Sequence, residues 1–282
     1  MFGWLKERRR KRIVAEPFPR EWDAIIDAYV PLAWRLQSAE RQRLRELVQI
    51  FIAEKTWEGC SGLDLTEEMQ VIVAANACLL VLDRGIDLYK DVDSILLYPN
   101  TVITPPRRPF MFETVRTPIG HARAISGEAM LHGPVVLSWD AVIAGTQWDA
   151  HGNVVVHEFA HKIDMADGSV DGTPPLGSER EVADWARVWS AAYRDVTERV
   201  AYGLPCSIDP YGATNEAELF AVATETYFLN PAGLRWDYPE LFAQLDGLYG
   251  RYEAGWQGRA DLGLVREHDL GRVQEEAAFE TN

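Results

Sequence analysis

The 282-residue sequence predicts an α+β fold: a helical front portion, then a small sheet followed by further helices. Three observations carry that prediction. Residues 20–84 place apolar side chains at helical spacing, as in SAERQRLRELVQIFIAEK. From Ser94 the texture changes to short β-branched and aromatic runs, SILLYP, TVITPP and PVVLSW, separated by Pro and Gly. Beyond them helical patterning returns, and a hydrophobic content of 47% suffices for one large core or two small ones.

Taken in order, residues 1–12 hold six basic side chains against Glu7, a net +5 that leaves −20 over the rest of the chain. The run reads as a solvated, partly disordered tail that could touch phosphates or an anionic membrane. It resembles the charged start of a signal peptide, but no apolar h-region follows it, so export by that route is not expected. The acidic remainder excludes direct nucleic-acid binding by the folded domain, which would need clustered Lys and Arg. After the polar break WEGCSGLD, Thr66 can cap a buried helix that contains VIVAANACLLVL. Those twelve residues cover about 18 Å as a helix, too short for a membrane span. Cys60, Cys78 and Cys206 are too scattered for a disulfide framework or a CxxC site, and a reducing cytoplasm fits them.

The three β-like runs form the sheet, and PVVLSW is either an edge strand able to pair with a substrate backbone or a plain core strand. A helix follows at 154–165, then the acidic loop DMADGSVDGTPPLG, a helix from Glu179 to about Val200, and another from near Asn215 that ends before Pro231. The resulting division is a basic tail at 1–17, a helical portion at 18–92, an α+β domain at 93–260 and an acidic tail at 261–282.

The chemistry concentrates in VVVHEFAHKID, Val154 to Asp164. On a helix, Val155, Val156, Phe159, Ala160 and Ile163 share a wholly apolar face, which leaves His157 and His161 directed away from that contact. One turn apart, the two imidazoles can converge on one metal ion, and Glu158 can reach a metal-activated water. This is the HExxH arrangement, which chance alone supplies to a chain this long in about one case in a hundred. Lys162 departs from the extended form of the motif, where the position after the second histidine usually carries no charge. Asp164 can orient a ligand imidazole or form a surface salt bridge. Asp164, Asp167 and Asp171 can hold a substrate ammonium or simply solvate their loop. His121, His132, His151 and His268 share no ligand spacing.

A catalytic zinc needs a third protein ligand and one open position. In DPYGATNEAELFAVATETYFLNP, Glu218 and Glu225 share an otherwise apolar helix face at i and i+7. Buried carboxylates need partners, and a metal is one. Asn215 and Glu218 also have capping-box spacing, so Glu218 has a purely structural alternative. Glu225 reads as a hydrogen-bonding carboxylate behind the ligands.

HEFAH, followed some fifty residues on by YGATNEAELFAV, resembles the Mlc titration factor A family of bacterial zinc metallopeptidases. Their catalytic core is similar to that of anthrax lethal factor and other gluzincins. MFGWLKERRRKR, EGCSGLDLTEEM and SILLYP extend the resemblance over nearly the whole chain. It implies a zincin-like core, one Zn2+ held by His157, His161 and Glu218, Glu158 as catalytic carboxylate, and Tyr211 seven residues ahead of the third ligand. Tyr211 would hydrogen-bond an oxyanion, its alternative being a packed turn residue. The implied activity is aminopeptidase-like hydrolysis of a peptide or aminoacyl substrate. The implied partner, and the competing function, is sequestration of a transcriptional repressor such as Mlc.

Overall fold

The chain opens with α1 (Phe2–Ala15), α2 (Arg20–Tyr29) and α3 (Ser38–Glu54). The structure is a computed structural model and describes residues 2–100, 102–104, 123–125, 127–131, 133–147, 150 and 152–250. The basic run is thus a helix where charge density alone predicts a solvated tail. Its inner side supplies the reason. Arg10 forms a two-pronged pair with Glu54 of α3, 2.8 Å on each prong, and Lys6 reaches Asp87 at 2.7 Å. Ile13 and Val14 pack against the core beside them. The start of α3 is closed by a reciprocal cap in which the Gln37 N–H donates to the Glu40 carboxylate at 2.7 Å.

β1 (Thr56–Gly59) and β2 (Ser94–Tyr98) are parallel neighbours, and α4 (Glu67–Leu80) lies between them in the chain. β1 falls in the stretch the sequence reads as a polar break. Four residues of alternating burial carry almost no periodic signal, and pairing from Thr56↔Ser94 to Gly59↔Leu97 supplies what local preference does not. Thr66 caps α4 as expected, accepting the Met69 N–H at 3.3 Å, and every residue from Val71 to Leu80 is buried.

β3 (Val102–Thr104) and β4 (Arg123–Ile125) form a separate antiparallel pair. β5 (Gly127–Ala129) and β6 (Val135–Ser138) complete the main sheet, whose order is β1-β2-β6-β5. β1, β2 and β6 run parallel, while β5 is antiparallel to β6. The PVVLSW strand is therefore internal, and among the described residues the edges are β1 and β5, the latter a three-residue strand with no signature of its own.

The remaining helices are α5 (Trp139–Ala144), α6 (Val154–Asp164), α7 (Glu179–Tyr202), α8 (Glu216–Leu229), α9 (Pro231–Asp237) and α10 (Pro239–Tyr249). α6 packs against α4, α8, β5 and β6. Phe159 of α6 meets Phe51 of α3 and Tyr89 with ring centroids 5.6 and 4.9 Å apart, fixing α6 to the front of the molecule. Trp185 and Trp189 of α7 stack on each other and tilt against Phe220, which fixes α8 from behind. Among the described residues, no helix is long and apolar enough to cross a membrane. The acidic tail at 261–282 lies outside them, as do His121, His132, His151 and His268.

Candidate metal centre

The N-terminus of α6 is pinned before either histidine appears. Asn153 caps it, its side-chain oxygen accepting the N–H groups of Val155 and Val156 at 3.1 Å each. The Asn153 amide donates to Asn76 of α4 at 2.9 Å, and Asn76 in turn donates to the Ile72 carbonyl at 2.9 Å. A chain of buried amides thus joins the front helices to the site. Val155, Val156, Phe159, Ala160 and Ile163 are buried, as the periodicity predicts. The opposite face is not left to solvent. α8 and β5 cover it, so His161, Glu158, Lys162 and Asp164 are buried as well.

α8 brings the third donor. The Asn215 side chain accepts the Glu218 N–H at 2.9 Å, so the backbone half of the predicted cap exists. The Glu218 carboxylate, however, turns to the histidines: Oε2 stands 3.2 Å from His157 Nε2 and 3.3 Å from His161 Nε2. Around an ion with ligand bonds of about 2.0–2.1 Å, tetrahedral neighbours lie about 3.3–3.4 Å apart. The two spacings fit that edge, and these three are the group among the described residues whose donor atoms could hold one metal ion.

Two further groups hold the donors. Glu225, two turns along α8, accepts from His157 Nδ1 at 2.7 Å with one oxygen and from the Asn153 N–H at 2.6 Å with the other. This fixes the His157 ring with Nε2 toward Glu218. Tyr211 sits in a one-turn 3₁₀ helix, Pro210–Ala213, whose cap Asp209 accepts the Tyr211 N–H at 2.8 Å. Its hydroxyl donates to Glu218 Oε1 at 3.0 Å, which brings it to the donor cluster.

Electrostatics favour a cation here. Burial alone would lower the His157 pKa, but hydrogen bonds with Glu218 and Glu225 outweigh it and lift the value to about 10. Burial would raise the Glu218 pKa, yet the two imidazoles pull it down to about 2. The pocket therefore binds a proton strongly, and a metal ion replaces that proton with a larger charge.

Glu158 lies between α6 and β5, packed so closely on Gly127 that a Cβ there would stand 2.5 Å from Glu158 Oε1. Lys162, the departure from the extended motif, is buried and points to the β5–β6 turn. Its ammonium donates to the carbonyls of Met130 at 2.5 Å and Gly133 at 2.8 Å, and burial lowers its pKa to about 8. The charge that looks misplaced in the motif thus ties the helix to the turn behind the edge strand.

The acidic cluster does not converge on the donors. Asp164 is fully buried, its pKa raised to about 7 by desolvation, with the backbone N–H groups of Gly172 and Thr173 close by. It is therefore no surface salt bridge. Neither does it orient His161, whose Nδ1 has no hydrogen-bond partner among the described residues. Asp167 accepts the Ser169 N–H and hydroxyl, and Asp171 accepts the Thr173 N–H, so both shape local turns.

The model of the glucose-regulated metallo-peptidase M90 family matches residues 4–250. This chain belongs to the M90 family. Among its relatives, an uncharacterized protein of Synechocystis sp. (slr2042) is 34% identical over 253 residues, covering 87% of this chain and 89% of that one. Mlc titration factor A of Klebsiella pneumoniae is 32% identical over 246 residues, with 84% and 91% covered. The protein of the same name from Cronobacter sakazakii is 30% identical over 237 residues, with 83% and 86% covered. The resemblance seen in the sequence is thus borne out. Membership in M90 implies a metal, and the His-His-Glu group is where this chain can hold one. Three features of this centre have weak or no sequence signals. Asn153 was legible as a cap before an apolar run; Gly127 and the Lys162 contacts carry no local signal.

Proposed function

We infer that this protein is a zinc-dependent, aminopeptidase-like peptidase of gluzincin type, with a zincin-like core, acting in the cytoplasm on a peptide or aminoacyl substrate. The observation that carries this reading is the convergence of His157, His161 and Glu218 from two helices, with Glu158 next to His157 on the same helix.

One zinc ion on these three donors supplies Lewis acidity, lowering the pKa of a water to about 7 and polarising the scissile carbonyl. The Glu158 carboxylate accepts the proton of the attacking water and passes it to the departing amine nitrogen. The C–O bond forms first, placing negative charge on the carbonyl oxygen, and the C–N bond breaks as that oxyanion collapses and the amine leaves protonated; no covalent enzyme intermediate is needed. Tyr211 turns its hydroxyl from Glu218 to the carbonyl oxygen as charge builds there, a contact of a few kcal/mol. Glu225 keeps His157 in the tautomer that presents Nε2. β5 is the sheet edge nearest Glu158 and offers its backbone to an extended substrate.

Glu158→Gln tests the reading with aminoacyl-anilide and peptide substrates. Zinc content and melting temperature should hold while kcat falls by about 10²-fold or more. Undiminished turnover in that variant would remove Glu158 from the mechanism.

A second reading rests on the relatives' name, Mlc titration factor A. In it the chain sequesters an Mlc-like transcriptional repressor, and hydrolysis is secondary. Saturable binding of purified Mlc to a wild-type protein that cleaves none of these substrates would favour it.

A further inference from the structure

The outer face of α1 has no task in the fold. At 3.6 residues per turn, Trp4, Leu5, Arg8, Lys11 and Arg12 fall within an arc of about 120°. The inner side is spent on the ion pairs of Lys6 and Arg10 and on the packing of Ile13 and Val14. Among the described residues, Arg8, Lys11 and Arg12 form no ion pair, although the chain carries a large excess of acids. Trp4 is 65% exposed and Leu5 54% exposed, with the Arg8 guanidinium 5.4 Å from the centre of the Trp4 ring. Glu7, the single acid of α1, falls at the margin of the arc.

This face combines three cations with two large apolar side chains at one end. Cations alone would suit any polyanion. The apolar pair narrows the choice, because a tryptophan with a neighbouring leucine gains by entering the boundary between lipid headgroups and acyl chains. A nucleic-acid duplex offers the pair no comparable burial. The net −20 of the remaining sequence repels an anionic surface, so approach is confined to this helix.

We propose that α1 docks on a bilayer of anionic phospholipid, Trp4 and Leu5 entering the headgroup boundary while Arg8, Lys11 and Arg12 lie over the lipid phosphates. The contact is peripheral and reversible. It places the protein at a membrane surface without a span, and it is independent of the metal centre.

Co-sedimentation of the full chain with vesicles tests this, comparing pure phosphatidylcholine with phosphatidylcholine containing about 30% phosphatidylglycerol. Binding should need the anionic lipid and weaken steeply between about 0.1 and 0.5 M salt. Replacing Arg8, Lys11 and Arg12 together by Ala should lower partitioning by about a hundredfold. The pair Trp4→Ala and Leu5→Ala should lower it by about tenfold. Lipids brominated on their acyl chains should quench wild-type fluorescence more than that of Trp4→Phe. Melting temperatures should stay put, since these side chains support nothing else. Absence of wild-type binding to the anionic vesicles overturns the proposal, as does equal binding to both vesicles. Duplex DNA binding that persists in the Trp4→Ala and Leu5→Ala variant, with no vesicle binding, overturns it in favour of a general polyanion site.

Discussion

Glu225 serves two masters with one carboxylate, the His157 ring and the Asn153 N–H that begins α6. Glu225→Gln keeps the size of the side chain but can no longer accept from both with full charge. Zinc affinity in a chelator competition should fall about 10–100-fold. An unchanged affinity would show that His157 needs no such support. Gly127 is a second single-residue test. A methyl group there would meet the Oε1, Cγ and Cδ of Glu158 at 2.5–2.8 Å, and the whole carboxylate would have to swing away. Gly127→Ala should therefore retain zinc while kcat drops. Normal kcat in that variant would mean that Glu158 does not work from this position. At this scale the sequence was legible where chemistry follows local spacing. His157 and His161 are one helical turn apart, and Glu218 with Glu225 share a face at i and i+7. Gly127 could not be read, because what it makes room for lies 31 residues away and no local pattern announces it.

Among the elements, α6 matters most, and its start depends on one amide. Asn153→Ala removes two capping bonds and strands the Asn76 side chain. The metal-free protein should lose about 1–3 kcal/mol in urea denaturation. A loss below about 0.5 kcal/mol would mean that packing alone sets the helix start. Helix ends were legible for a related reason: Thr66, Asn215 and Pro231 mark boundaries by local hydrogen bonding or by a missing N–H. The helix expected from Glu179 to about Val200 runs to Tyr202, where Gly203 closes it in the left-handed conformation. β1 and β5 were not legible. At four and three residues they exist through the strands beside them: the partners of β1 lie 38 residues away, and those of β5, though only 6–10 residues on, give three residues too little pattern to read.

For the molecule as a whole, the α+β class followed from the change of texture at Ser94, but the union of the two regions did not. β1 from the front portion joins β2 in one sheet, and Asn76 of α4 reaches the cap of α6. Charge couples this assembly to pH. The His157 pKa is raised to about 10 from an ordinary 6.5, so its contribution is complete below pH 6.5 and is lost as pH rises toward 10. Asp164, raised to about 7, acts in the same direction up to that pH. Lys162, lowered to about 8, opposes them only above that value. Glu218, lowered to about 2, matters only in acid, where its contribution is lost as pH falls below 4.5. The metal-free protein should therefore melt at progressively lower temperature between pH 6.5 and 8. A flat or rising profile over that window would contradict the charge assignment. Zinc added at pH 8 should release about two protons, one from His157 and nearly one from the water it ionises, detectable in weak buffer.

The central claim is that two imidazoles of α6 and one carboxylate of α8 hold a single zinc ion. Zinc X-ray absorption on the purified protein, combined with metal analysis, tests it most directly. The predicted result is about one zinc per chain in a nitrogen and oxygen shell at about 2.0–2.1 Å, with imidazole scattering beyond it, abolished by His161→Ala. A sulfur shell at about 2.3 Å, or full zinc content in His161→Ala, would contradict it.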